Sequence, residues 1–283
     1  MALDQVDVDK IGTEEVKEMS FLDHLEELRW HLVRSAAAVV IFGVLAFIGG
    51  KPFFQLIMYG PKEADFWTYR MICKISEALC FGPPDFQLMT VILGEQFIVH
   101  FKFAIMIGIV FGFPYIFWEF WRFIKPGLYP DEKKAARGVV FVCSFLFITG
   151  VCFGYFIISP FAITFLVGYD LGAISTPSLA SYVDYMTMFT LPVGIVFELP
   201  VVVYFLTKIG LVTPSFLKSY RKHAFVIIII LAAVITPPDV ITQFLVGIPL
   251  YILYEISIVI SKRVVAKQEA QEEKEEKEAK EEK

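Results

Sequence analysis

The chain has 283 residues, of which 57% are hydrophobic and 19% charged, with a net charge of −5 and a mean hydropathy of +0.64. An ordinary soluble domain carries about a quarter of its residues as charges, so this composition excludes a simple soluble globule and places the chain in the membrane class.

The first residues, "MALDQVDVDKIGTEEVKEM", are mixed and acidic, with no apolar run ahead of a small-residue cleavage site. They read as a flexible N-terminus over residues 1–19, and the first apolar run as a retained anchor. Ser20 and Asp23 have the spacing of a capping box, so a helix is expected from Phe21. Its first half, "FLDHLEELRWHLVR", holds three carboxylates, two histidines and two arginines, yet it joins an uncharged run without a break. Leu22, Leu25, Leu28 and Leu32 form its apolar stripe. The junction makes sense if the charged half stands in water and the rest in hydrocarbon.

Crossing about 30 Å of hydrocarbon takes roughly 20 apolar residues. Six spans are expected: Val33–Gly50, Phe97–Trp121, Gly138–Ile158, Val183–Leu206, Ala224–Ile235 and Val240–Ile260. The last two are short and separated at Thr236–Asp239. Pro237 and Pro238 remove two backbone donors there, and Asp239 would otherwise bring a charge to mid-membrane, whereas at a turn it serves as a helix N-cap. The resulting mismatch calls for bilayer thinning, tilt or protein contacts.

Lys and Arg concentrate in Arg122–Arg137 and Thr207–His223 and are absent from Pro160–Tyr182 and from the turn at Thr236–Asp239. The bias toward inside loops puts both termini in the cytoplasm. The long loop at about 51–96 then lies outside, as an aromatic-rich elaboration expected to cap the membrane surface. A disulfide between Cys73 and Cys80 is permitted there, and free thiols remain the alternative. Residues 264–283 form a charged tail, helical or disordered, with no chemistry assigned.

Two acids stand out near the cytoplasmic surface. Glu27 lies close to the apolar run, where a basic residue is more usual. Glu132 falls in the first turn of a helix that starts after Pro126 and Gly127, with Leu128 and Tyr129 at the interface. Carboxylates converging from two segments would match guanidinium groups in two-pronged pairs. A merely solvated helix face is the alternative. Glu198, in "VGIVFELPVVVYF", is an ionisable group inside span four, which needs a proton, water or a partner. Thr242 and Gln243 offer a hydroxyl and an amide to a partner helix. Lys102 and His100 read as snorkelling groups, and Glu119 and Glu255 as solvated or snorkelling acids near the cytoplasmic ends.

The strings "HLEELR", "WRFIKPGLYPDEKK", "FELPV" and "TPPDVITQ" occur in that order with the spans between and around them. Over about residues 19–263 the chain resembles the TatC family, the polytopic component of the twin-arginine protein translocase. The resemblance implies an all-α polytopic membrane protein, with six transmembrane helices in a curved, glove-like bundle over residues 20–263. It implies a receptor for twin-arginine signal peptides in the inner membrane of a bacterium, driven by the proton potential, with single-span partners of the TatA and TatB type. The family's recognition carboxylates fall on Glu27 and Glu132, with Arg29, Pro126, Leu128 and Tyr129 in the supporting surface. The intramembrane functional acid falls on Glu198, and partner docking on Asp239, Thr242 and Gln243. A homo-oligomer within the receptor complex is left open. No cofactor, metal or catalytic residue is expected, since HExxH and nucleophile–base patterns are lacking. The alternative function is a proton- or ion-coupled small-solute transporter using Glu198, against which no internal repeat of the two halves is seen.

Overall fold

A computed structural model describes residues 21–75, 80–83, 85–124, 136–172, 176–236 and 239–281. The first long helix, α1 (Phe21–Ile48), is followed by α2 (Gly50–Met58) and α3 (Trp67–Ile75). Next come α4 (Glu95–Ile124), α5 (Ala136–Phe153), α6 (Ser159–Gly168), α7 (Leu179–Val196) and α8 (Leu199–Lys208). A short α9 (Pro214–Ser219), then α10 (Arg221–Ile235) and α11 (Val240–Glu281), complete the order.

Five stretches among the described residues are long and apolar enough to cross a membrane: Leu25–Ile48, Glu95–Phe123, Gly138–Gly168, Leu179–Lys208 and Val240–Glu278. The segment expected as the fifth of six spans is α10, which has 15 residues and so rises only about 22 Å. Length alone does not qualify it. The third stretch runs ten residues further than the sequence suggested. Pro160 interrupts the hydrogen-bond ladder there, and the chain answers with a π turn at Gly154–Ile158 instead of an end. Pro160 leaves the Phe156 carbonyl without its helical donor, and the Thr68 hydroxyl of α3 donates to it, while Gly154 accepts the Ser159 N–H and, at 2.9 Å, the Ser159 hydroxyl.

The fourth stretch is broken in its middle. The ring of Pro200 collides with the carbonyl four residues earlier, that of Val196, where α7 ends, while Pro200 itself is tolerated in the first turn of α8. Glu198 sits in that break. The charged tail is not a separate segment: α11 continues unbroken to Glu281, and Gln268 Nε2 donates to the Lys208 carbonyl at 3.1 Å.

Close approach of backbones organises the bundle. On α4, a Cβ at Gly108 would be driven into the Val39 carbonyl of α1, so only glycine permits this packing. Gly154 meets the backbone of Phe189 and Thr190 on α7 in the same way. Two apolar clusters result. One, toward the end carrying α2 and α3, includes Phe54, Met58, Phe103, Tyr182 and Met186. The other, among α7, α8, α10 and α11, includes Phe189, Phe197, Ala232, Leu250 and Ile258. The bundle's outer surface is as apolar as its core: Val40, Ile41, Leu45, Phe141, Val202 and Val234 are all exposed. An apolar exterior of this extent calls for lipid.

The loop between α1 and α4 folds back as a cap. Tyr182 Oη donates to the Met58 carbonyl at 2.7 Å, Tyr155 Oη to Ile57 at 2.6 Å and Tyr69 Oη to Pro61 at 2.9 Å. Phe66 stacks on Phe156 with ring centres 5.6 Å apart, and Cys73 is disulfide-bonded to Cys80.

Candidate functional site

Glu27, His31 and Arg34 recur at i, i+4 and i+7 along α1, which places them on one face. Tyr115, Glu119 and Arg122 repeat the same spacing on α4, and the two stripes meet. Glu119 is 1% exposed, and its Oε2 lies 2.5 Å from His31 Nδ1. A carboxylate can only accept, so Nδ1 carries the proton of that bond. Arg34 approaches Glu119 at 3.7 Å, Arg122 at 3.5 Å, and the Tyr115 hydroxyl reaches the same carboxylate.

Among the described residues, that arrangement leaves Glu27 without a Lys or Arg partner. Both arginines take Glu119, and the nearest basic atom to Glu27 is His31 Nε2, 3.9 Å from Oε1 and too far for a hydrogen bond. Glu27 Oε2 is shielded from solvent and has no hydrogen-bond partner among the described residues. Trp30, His31, Arg34 and Arg122 line a cavity of about 410 Å³ with it. The side chain is about a third exposed, so the carboxylate is reachable from water while one of its oxygens lacks a donor; a cation with hydrogen-bond donors would satisfy it.

The remaining expected residues divide. Arg29 turns away from Glu27, pairs with Glu26 at 3.2 Å and lies over the Trp30 ring. Glu132, Pro126, Leu128 and Tyr129 lie outside the described residues. Glu119 is not the solvated acid expected from sequence but the hub between two helices. Its place was legible in the matching heptad spacings of Glu27–Arg34 and Tyr115–Arg122. Lys102 does not merely snorkel either: it holds Asp184 of α7 by two contacts at 2.7 and 3.0 Å. Glu255 accepts from Arg221 at 2.6 Å.

Glu198 is 8% exposed, its carboxylate oxygens are shielded from solvent, and the Cys143 thiol and the Phe147 backbone lie beside them. Just past it, Pro200, Val201 and Tyr204 form one wall of an apolar groove of about 650 Å³, closed by Val142 and Leu146 of α5 and by Ile256 of α11. Asp239 caps α11, accepting from Thr242 N at 2.8 Å and from the Thr242 hydroxyl. The Thr242 side chain is therefore committed inside the protein. Gln243 makes only a long 3.4 Å contact with the Ile229 carbonyl.

Residues 23–249 match the family model described as Sec-independent protein translocase protein (TatC). The chain belongs to the TatC family. It is 41% identical to the Sec-independent protein translocase protein TatC of Blattabacterium sp. subsp. Periplaneta americana, over 90% of this chain and 99% of the relative. With TatCy of Bacillus subtilis it shares 36% identity over 90% and 93% of the two chains. A crystal structure of a twin arginine translocase receptor, TatC, superposes with a TM-score of 0.67 at 35% identity, covering 86% of this chain and 99% of that one. The match spans α1 to α11, so the Glu27 cavity and Glu198 both lie within the shared fold.

Proposed function

We propose that the chain is the receptor for twin-arginine signal peptides within a translocase that moves folded proteins across a bacterial inner membrane under the proton potential. The observation that carries this reading is the shielded, unpaired oxygen of Glu27 in a cavity whose own arginines are held by Glu119. A guanidinium entering there supplies two N–H donors in the plane of the carboxylate, and Trp30 offers it an aromatic face. An ammonium offers charge without that fork. Glu132, with Pro126, Leu128 and Tyr129, completes the recognition surface in this reading, and Arg29 orders its edge by holding Glu26.

Both termini are cytoplasmic and α10 makes the fifth of six crossings, with the Glu27 cavity on the cytoplasmic side. The charge pattern supports this: Lys262 beside Lys218 holds the Lys218 ammonium below the usual lysine range, a sign of concentrated positive charge at that end. The signal peptide's apolar segment then follows the bundle surface. The groove beside Pro200 receives single-span partners of the TatA and TatB type, with Glu198 and Gln243 as polar contacts in lipid. A small-solute transporter using Glu198 is not favoured by the family. No catalytic step is assigned.

The test is photo-crosslinking from position 30 to a signal peptide carrying two arginines or two lysines. Strong labelling by the arginine peptide, lost in Glu27→Gln and weak with two lysines, is the expected result. Equal labelling by both peptides, unchanged in Glu27→Gln, would remove the receptor assignment.

A further inference from the structure

At the other end of α1 and α4 lies a second cavity, of about 530 Å³, which the receptor reading does not use. Its polar lining is Lys51, Gln55, Thr90, Gln96 and His100. None of the lining residues is acidic. Lys51 makes no ion pair among the described residues, and His100 Nε2 is shielded without a hydrogen-bond partner. The imidazole is held in place by stacking on Phe47, with ring centres 4.3 Å apart. A second ammonium stands close by, since Lys62 Nζ lies 6.0 Å from the ring centre of Tyr59, which also lines the cavity. The nearby acid Glu95 is spent, accepting from the backbone N–H groups of Val91, Ile92 and Ala180. Lys102 is neutralised by Asp184.

The cavity's depth identifies its occupant. Lys51 follows the end of the first apolar stretch at Ile48, and His100 lies in the second turn of α4, so the cavity sits at headgroup level. Beside it, Ile48, Leu93 and Phe97 are exposed apolar groups that would meet acyl chains. We propose that this cavity binds one anionic phospholipid, its phosphate against Lys51 and His100, its headgroup hydroxyls on Gln55, Thr90 and Gln96, and its chains along Ile48 and Phe97. A zwitterionic headgroup finds no carboxylate here for its own cation.

The experiment uses the full chain in nanodiscs of phosphatidylcholine doped with phosphatidylglycerol of the same acyl chains, read by native mass spectrometry of retained lipid. Preferential retention of one phosphatidylglycerol is expected. Lys51→Gln, a change at an exposed position, should weaken it about fivefold, the factor of one lysine facing an anionic headgroup. Lys222→Gln, at the opposite end, should leave it unchanged. Equal retention of both lipids, or insensitivity to Lys51→Gln, or an equal loss in Lys222→Gln, would overturn the site. A thermal stabilisation by glycerol 3-phosphate matching that of the lipid would overturn the lipid assignment in favour of a free phosphate ester. Each of these outcomes leaves the Glu27 cavity untouched, because the two sites lie at opposite ends of α1.

Discussion

Replacing Glu119 tests whether the α1–α4 joint is held by the buried pair with His31. In Glu119→Ala the buried His31 N–H loses its acceptor, at about 1–3 kcal/mol, whereas Tyr115, 42% exposed, can turn its hydroxyl to solvent at little cost. Arg34 and Arg122, each about half exposed in their side chains, lose at most about 1 kcal/mol apiece, since solvent screens such pairs. The total, about 1–5 kcal/mol, is dominated by the orphaned His31 donor. At about 2–4 °C per kcal/mol for a chain of this size, the midpoint falls by roughly 10 °C. The assay is thermal unfolding in detergent followed by tryptophan fluorescence, run as a double-mutant cycle with His31→Gln and Glu119→Gln. A coupling of about 1.5 kcal/mol or more is expected for a charge-assisted bond. Additivity within about 0.5 kcal/mol would refute the joint, as would a Glu119→Ala loss no larger than that of the half-exposed Glu255→Ala. Because the same hub keeps Arg34 and Arg122 off Glu27, Glu119→Gln should also weaken twin-arginine peptide binding while the fold survives.

Glu198→Gln should leave thermal stability nearly unchanged, because the isosteric amide keeps the neighbouring Cys143 and Phe147 contacts and removes the cost of a shielded acid; transport and partner assembly should fall, and full transport activity would reduce Glu198 to a structural role. Gly108→Ala should cost about 1–3 kcal/mol by forcing α1 off α4, whereas Gly168→Ala, whose Cβ would meet open space, should cost little; equal midpoints for the two variants would count against the close helix contact. Cys73→Ser should lower the stability of the outer cap by about 2.5 kcal/mol, the chain-entropy figure for so short a loop. Reductant should reproduce that loss in the parent protein and have no effect on Cys73→Ser, as read by protease resistance of the cap.

Much of this architecture was legible because hydrocarbon imposes length and apolarity on each span, and sequence records both. The break between α10, ending at Ile235, and α11, capped by Asp239, was readable for the same reason: a charge has no place mid-membrane; Pro237 and Pro238 lie outside the described residues. Boundaries were less legible where backbone chemistry has two outcomes. Pro160 could end a helix or be absorbed by a π turn, and the Thr68 hydroxyl that takes the orphaned Phe156 carbonyl, from an element 88 residues earlier, favours the second. Pro200 looks equivalent in sequence, yet there α7 stops and Glu198 occupies the break. Glu27 was singled out by its odd position beside an apolar run, with a solvated helix face as the alternative. Glu119 was missed because each acid was weighed by its depth on its own helix, while its role comes from a histidine 88 residues away. Lys102 was misjudged for the same reason, its partner Asp184 standing on another element.

The bundle contains two kinds of unpaired carboxylate, and the difference between them bears on how a receptor can also be an assembly point. Glu27 stands in a small polar cavity with a hub that holds competing cations away, so binding there is selective for a fork of donors. Glu198 stands beside a thiol and an apolar groove, where what it meets must itself come through lipid. Under the proposed function, a peptide head and a partner helix would be sorted by solvent, the first reaching its carboxylate from water and the second from hydrocarbon. Substituting one acid need not disturb the other, since Glu27 depends on α1 and α4 and Glu198 on α5, α7 and α8. Coupling between them has to run through the packing of α4 against α5 and α7. The stacked rings of Phe113 and Phe147, 3.7 Å apart, are the tightest aromatic contact on that route.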